Sequence, residues 1–301
     1  MLVIQSKRFM KTILICALLA VAIVRGVCGT GDDMLITKWT TGQIAWTNCI
    51  LGTTCSVQVA TTTVGGSWTD LVSSLVVTSA LTRVDVPAIS ADTAFLRVAR
   101  PFDPLLGLVA WYQFEGNTLD SSAWHNDGTN KGVVFVSGPS GLCGSFDGAS
   151  TYIRVPQNST LKLANAMTIC AWIKPLATDG LRCIVDKDYD LVGYNLYVNG
   201  GGLHMRICGS SITTGTITNG GWQHVAGVFT GNKIRIFVNG LQQGETDSGG
   251  LTDRADKDVY IGMWGPPGGP SRYFYGWMDE VRIYARPLTP SEIRCLAQSG
   301  P

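Results

Sequence analysis

The sequence predicts an all-β protein built from antiparallel sheets, and three observations carry that reading. Its 301 residues include 36 glycines and 9 tryptophans, set among many Thr and Ser, the usage of a turn-rich β protein rather than a helical one. Runs with a side-chain period of two recur, as in Ser56-Val57-Gln58-Val59 and Thr82-Arg83-Val84-Asp85-Val86. Asn-Gly pairs suited to tight hairpins, Asn199-Gly200 and Asn239-Gly240, close two further runs. The length suits two ordinary domains, and a 45% hydrophobic content supplies their cores. Charged residues are only 15% and the net charge is +1, so there is no global field to draw nucleic acid or an anionic membrane surface.

Taken from the N-terminus, residues 1–29 read as a secretory signal peptide. Lys7, Arg8 and Lys11 precede an apolar run from Ile13 to Val24, and the small residues Val27 and Gly29 suit cleavage near Thr30. The run is short for a membrane span. The expectation is therefore a secreted or cell-surface protein with no span left after cleavage.

Residues 30–102 alternate short β-rich runs, among them "GQIAWTNCILG", "CSVQVATTT", "SWTDLVSSLVV", "TRVDVPAI" and "TAFLRVARP", with Gly, Thr and Ser turns. They predict a small antiparallel β-sandwich that resembles Ig-like or fibronectin-like modules. "RPFDPLLG", with two prolines close together, is the natural joint to a second domain at 103–301.

In that second domain the motifs are specific. "GGWQHVAGVFTGNKIRIFVNG" is followed, after "VYIGMWG", by "FYGWMDEVRIYARPLTPSEIRCL". In this order and spacing, residues from about 105 to 298 resemble the LamG-like jelly-roll domains of the concanavalin A-like lectin/glucanase and pentraxin-like superfamily. The resemblance implies a jelly-roll β-sandwich and a non-catalytic recognition or adhesion role toward a glycan or an extracellular protein. Alternatives from other classes are a structural component of an extracellular assembly and a glycoside-active enzyme. Thr289-Pro290-Ser291-Glu292 is the one convincing helix start, combining a capping Thr, an early Pro and a Glu at the third position.

The candidate chemistry is then weighed residue by residue. Strict alternation in "FYGWMDEVRIY" puts Trp277, Asp279, Val281 and Ile283 on one face, so Asp279 is expected on the apolar side, where a carboxylate needs a partner. Related β-sandwich modules often carry one structural Ca²⁺ where first and last strands meet. The positions matching that arrangement are Glu115, Asp147 and Asp279, hard oxygen donors of the kind calcium prefers. The open alternative is that Asp279 caps backbone N–H groups or pairs with an arginine.

No E-x-D-x-E strand, G-x-S-x-G elbow or Cys/His metal spacing is present. Asp186-Lys187-Asp188-Tyr189-Asp190 lacks the later ligands of an EF-hand and reads as a solvated loop. His224 in W-Q-H-V-A reads as structural, hydrogen-bonded beneath the sheet. Sugar binding needs aromatic faces with a few polar groups, and "MWGPPGGPSRYFYG" gathers Trp264, Arg272, Tyr273 and Tyr275. In an exported protein the cysteines read as disulfides plus a spare thiol. Cys49–Cys55 is a candidate pair for closing a hairpin and Cys183–Cys208 for bridging neighbouring strands, with Cys170 a candidate buried thiol.

Overall fold

A computed structural model of the protein describes residues 103–187, 192–252, 257–265 and 272–301 with their side chains, and eight strands of residues 1–102 by backbone alone. By its contacts the chain divides into two compact units, Met1–Phe102 and Asp103–Pro301. No helix among the described residues is long and apolar enough to cross a membrane.

The strands of the first unit are β1 (Val3–Gln5), β2 (Val24–Arg25), β3 (Leu35–Thr40), β4 (Gln43–Thr47), β5 (Thr54–Ala60), β6 (Thr69–Val76), β7 (Thr82–Asp85) and β8 (Thr93–Ala99). They form two four-stranded sheets, ordered β1-β8-β5-β6 and β2-β3-β4-β7, in which every pairing is antiparallel. The expected leader lies outside the described residues except for β1 and β2. The Cys49–Cys55 pair also lies outside, since Cys49 is not described and Cys55 is described by backbone alone.

The second unit contains β9 (Leu108–Tyr112), β10 (Thr129–Lys131), β11 (Val134–Ser137), β12 (Leu142–Asp147), β13 (Tyr152–Val155), β14 (Met167–Pro175), β15 (Leu181–Asp186), β16 (Tyr194–Asn199), β17 (Gly202–Ile207), β18 (Ser210–Thr214), β19 (Gln223–Phe229), β20 (Lys233–Val238), β21 (Leu241–Asp247), β22 (Val259–Ile261), β23 (Met263–Trp264), β24 (Arg272–Tyr273), β25 (Tyr275–Tyr284) and the helix α1 (Pro290–Gln298). A seven-stranded sheet runs β10-β13-β22-β15-β16-β17-β18. An eight-stranded sheet runs β11-β12-β25-β14-β19-β20-β21, with β9 also on β25. The non-consecutive order of neighbours and the antiparallel ladders make the two-sheet sandwich expected from the sequence.

Alternation decides what lies between the sheets. In β14, Met167, Ile169, Ala171 and Ile173 enter the core, as do Leu203, Met205 and Ile207 of β17 and Ile234, Ile236 and Val238 of β20. Phe237 is out of phase with that pattern and is nevertheless buried, because the outer face of the eight-stranded sheet is itself covered near α1. The helix comes close enough that a Cβ on Gly240 would meet the Arg294 Cα at 3.0 Å. Asn239 and Gly240 have φ of 49° and 76°, the left-handed pair the Asn-Gly signal predicts. The earlier hairpin differs: Asn199 pairs with Gly202, so its two turn residues are Gly200 and Gly201, at φ 56° and 77°.

The helix start is as expected. Thr289 accepts from the Glu292 backbone N–H, and Glu292 accepts from the Thr289 N–H at 2.9 Å, completing a capping box.

Strand β25 corrects the simple alternation. Cys170 of β14 lies opposite Arg282, whereas Trp172 lies opposite Asp279, so β25 carries one extra residue between those pairs, a β-bulge. Glu280, at the bulge, has a φ of 52°. The core sequence of β25 is therefore Met278, then Val281 and Ile283, and Asp279 lies on the face opposite Val281 and Ile283. The bulge falls where β25 changes its edge partner, from β12 at residues 275–278 to β9 at 281–284.

Candidate functional site

The outer face of the seven-stranded sheet, with the β23–β24 hairpin beside it, carries two aromatic clusters, and the hairpin geometry explains how the first one forms. The Gly200-Gly201 turn sets Tyr197 of β16 directly opposite His204 of β17, where both point away from the core residues Leu196, Val198, Leu203 and Met205. Their rings stack with centroids 4.7 Å apart and planes 18° apart. Trp264, on the short hairpin formed by β23 and β24, leans on Tyr197 at 5.3 Å. On the β13 side, Tyr152 lies 6.1 Å from Tyr260 and 6.4 Å from Tyr273. Tyr152, Tyr260, Tyr273, Trp264 and His204 are all part-exposed, as ring faces must be to meet a ligand.

Two guanidinium groups flank Trp264. The Cζ atoms of Arg206, from β17, and Arg272, which pairs with Trp264 in the hairpin, each lie 4.6 Å from the ring centroid. That is within the range of cation–π attraction. Beside them, the Asn199 carbonyl can only accept, so His204 Nε2–H donates to it at 3.2 Å, and His204 Nδ1 lies 2.5 Å from the Thr213 hydroxyl. Burial holds the imidazole pKa below its usual value.

The described acids of this face, Asp186 and Asp258, are engaged in structure. Asp258 accepts from Arg154 Nε at 2.6 Å and from the Gln157 N–H at 2.9 Å. Asp186 is buried and accepts from the Gly265 N–H at 3.2 Å. Lys187 is buried beside it, its Nζ donating to the Leu161 carbonyl at 2.8 Å. Those two residues are thus strand-end structure rather than the solvated loop their sequence suggests, while 188–191 lie outside the described residues.

Of the four ligand residues expected from sequence, the structure brings together Trp264, Arg272 and Tyr273. Tyr275 belongs to β25 in the other sheet, packed beside Gly148, and is separate from this surface. Sequence reading missed Tyr152, Tyr197, His204, Arg206 and Tyr260. The signal was available in "GLHMRI", where the polar His204 and Arg206 alternate with Leu203, Met205 and Ile207.

The expected calcium ligands do not converge. Asp147 pairs with Tyr275, four residues along β25 from Asp279, a separation of about 13 Å along the strand. Its carboxylate is occupied by a turn, accepting from the backbone N–H groups of Ala149, Ser150 and Thr151 and from the hydroxyls of Ser150 and Thr151. These bonds hold its pKa well below the usual carboxylate range, against the opposing effect of burial. Glu115 is exposed and accepts from the Leu142 N–H at 3.0 Å. No three His, Cys, Asp or Glu side chains among the described residues come together to hold an ion. These residues do not fit a calcium site.

Asp279 instead follows the alternative reading. It is 1% exposed, and its Oδ1 accepts the N–H of Glu280 at 2.8 Å, capping the residue that the bulge displaces from the ladder. Burial, with smaller contributions from Glu280 and Glu115, pushes its pKa up to about 7. Glu280 accepts from Trp111 Nε1 at 3.0 Å and pairs with Arg282, whose guanidinium lies over the Trp111 ring.

His224 is likewise buried, but differently from expectation. Its backbone N–H, and not its ring, makes the bond beneath the sheet, to Asn239 Oδ1 at 3.0 Å. Neither ring nitrogen has a hydrogen-bond partner. The ring stands edge-on to Trp172, and burial, aided by Arg282, lowers its pKa to about 3.

The Cys183–Cys208 disulfide is not formed. Cys183 lies opposite Tyr197, which lies opposite His204, four residues before Cys208. The two are thus two strand spacings, about 10 Å, apart across the sheet and about 13 Å apart along it, well outside disulfide reach. The Cys208 Sγ instead accepts from the backbone N–H groups of Gly193 and Thr252. Cys170 is a buried thiol, as expected, with burial pushing its pKa up to about 12.

Comparison with known proteins agrees with this architecture. Residues 147–294 match the family model described as the Concanavalin A-like lectin/glucanases superfamily. Human Usherin is 28% identical over 151 residues, which is 44% of this chain and 3% of Usherin, so the chain spans a small fraction of that relative's length. Among solved structures, domain 4 of AbnA, a GH43 extracellular arabinanase from Geobacillus stearothermophilus in complex with arabinotriose, gives a TM-score of 0.53 at 22% identity, covering 64% of this chain and 98% of that one. The binding domain of Paraclostridial Mosquitocidal Protein 1 gives 0.55 at 18% identity, covering 65% and 52%. The binding domain of Botulinum Neurotoxin DC in complex with SialylT gives 0.53 at 15% identity, also covering 65% and 52%. At these identities the likeness is one of fold.

Proposed function

The unit from Asp103 to Pro301 is a LamG-like domain of the concanavalin A-like lectin/glucanase superfamily, and from that premise we propose that the protein is an exported, non-catalytic recognition module that binds a glycan on the outer face of the seven-stranded sheet. The observation that carries the reading is the aromatic surface around Trp264, with Tyr197 and His204 stacked beside it. The partly exposed rings of Tyr152, Tyr260 and Tyr273 offer flat apolar faces to the C–H side of a sugar, and the guanidinium groups stacked on Trp264 offer directional donors to its oxygens. The solved complex of AbnA domain 4 with arabinotriose supports a saccharide ligand for a fold of this kind.

The non-catalytic part of the reading rests on the acids. Glycoside cleavage needs two carboxyl groups facing the sugar, and among the described residues of this face Asp186 and Asp258 are both committed to structural hydrogen bonds. Export rests on the basic and then apolar character of residues 1–29.

A glycan array probed with the wild type and with Trp264→Ala, followed by analysis of the bound glycan for cleavage products, tests the proposal. The expected result is retention of an intact glycan and about a tenfold or greater loss of affinity in the variant, with circular dichroism unchanged. Released product would make the domain an enzyme. Silence toward every glycan would leave it a structural component.

A further inference from the structure

We propose that Asn158 carries an N-linked glycan. The inference goes beyond ligand recognition and rests on the export argued above, because this linkage is built on exported chains. Asn158-Ser159-Thr160 is the only Asn-x-Ser/Thr triplet in the sequence, with no proline at 159 or 161, and it is the acceptor pattern for this modification, which requires a surface loop. The structure puts it in one. The triplet lies on the connection between β13 and β14, where Asn158 opens the short 3₁₀ turn Ser159–Leu161. Pro156, Gln157 and Ser159 are exposed and Asn158 is part-exposed.

The two ends of the Asn158 amide are used differently. Its Oδ1 caps the turn, accepting from the Thr160 backbone N–H at 3.1 Å and from the Thr160 hydroxyl at 3.1 Å. Its Nδ2 has no hydrogen-bond partner among the described residues and is not sealed from solvent. In the transfer, Nδ2 bonds to C1 of the first sugar of a lipid diphosphate-linked oligosaccharide. The C1–O bond breaks with its electron pair passing to the departing diphosphate, and one Nδ2 proton goes to a base of the transferring enzyme. The product keeps Oδ1, so the cap on the turn survives. The position also leaves the recognition surface clear. In the antiparallel pair of β13 and β22, Ile153 lies opposite Ile261 and Val155 opposite Val259, so the chain leads to Asn158 from one end of the pair and to Trp264 from the other.

The full chain, with its own N-terminal segment, is expressed in a eukaryotic cell as wild type and as Asn158→Asp, a variant that keeps a capping oxygen and removes the acceptor nitrogen. Intact mass is read before and after peptide-N-glycosidase F, and the site is mapped by peptide mass spectrometry. The expected result is a glycan on most wild-type chains in the medium, released by the enzyme with conversion of Asn158 to Asp, and none on the variant. Enzymatic release and the substitution yield the same polypeptide, so a shared melting temperature checks that the variant is folded. Glycosylated wild type and variant should bind alike on the glycan array. A secreted chain with Asn158 unmodified, or with sugar at other residues alone, overturns the inference and leaves export standing. A chain retained in the cytosol overturns export and this inference with it. Array binding that appears only once the Asn158 glycan is removed overturns its placement clear of the recognition surface.

Discussion

Asp279 shows how one backbone irregularity changes the meaning of a residue. Without the bulge at Glu280 it would share a face with Val281 and Ile283. With it, the carboxyl turns to the other side and caps the displaced N–H. That position has a cost: burial raises its pKa to about 7, above the value near 3.9 of an unfolded chain. Between about pH 4 and 7 the folded state therefore holds a proton that the unfolded state has released, and stability falls as pH rises through this window. The charged groups that bear on it are Glu280 and Glu115, which oppose ionisation, and Arg282, which favours it. The full penalty above pH 7 is on the order of 4 kcal/mol. Asp279→Asn keeps an acceptor for the Glu280 N–H and removes the titration. Thermal melts from pH 4 to 8 should show the wild type losing stability relative to the variant, since buried His224 raises the stability of both as pH rises from 4 to 6.5, with the variant ahead by several degrees at pH 8; parallel curves would contradict the assignment. The acidic pair was visible in sequence, but its orientation was not, because a bulge depends on which strands lie alongside.

At the scale of elements, the hairpins and the helix start were legible because their signals are local. Asn239-Gly240 predicts a left-handed pair and the structure has one. Thr289-Pro290-Ser291-Glu292 predicts a capping box and the structure has that too. Contact between these elements was not legible. Gly240 serves as a turn residue and also lies where α1 approaches closely, 3.0 Å from a would-be Cβ to the Arg294 Cα. Gly240→Ala should thus combine backbone strain with displacement of the helix and destabilise the domain by about 2 kcal/mol or more. Urea titration gives that value directly; a loss of only a few tenths would mean that the helix does not rest on the turn. The cysteines failed for the same non-local reason. Cys183 and Cys208 are near in sequence terms of neighbouring strands, yet β16 runs between them.

For the whole molecule, the division of labour is between two sheets with different outer faces. The eight-stranded sheet has α1 close to it at Gly240, and Cys170, His224 and Asp279 are buried. The seven-stranded sheet leaves aromatic and cationic side chains in reach of solvent. Glu115, Asp147 and Asp279 do not meet, so no calcium effect on stability is expected from these three residues. Differential scanning calorimetry of the full chain in EDTA and in millimolar Ca²⁺ is expected to give the same transition, and a rise of several degrees with calcium would show a site elsewhere.

From sequence alone came the all-β class, the strands of residues 54–60, 69–76, 82–85 and 93–99, the start of α1, the LamG-like character of the second unit, and three of the residues of the aromatic surface. These depend on side-chain period, turn chemistry and motif order, which are properties of the chain read in a line. The strand β3, at Leu35–Thr40, was not read from sequence. The bulge in β25, the separation of Asp147 from Asp279, the distance between Cys183 and Cys208, and the convergence of Arg206 and Arg272 on Trp264 were decided by tertiary structure. Each depends on register between strands remote in sequence, where a shift of one residue turns a side chain to the opposite face of the sheet.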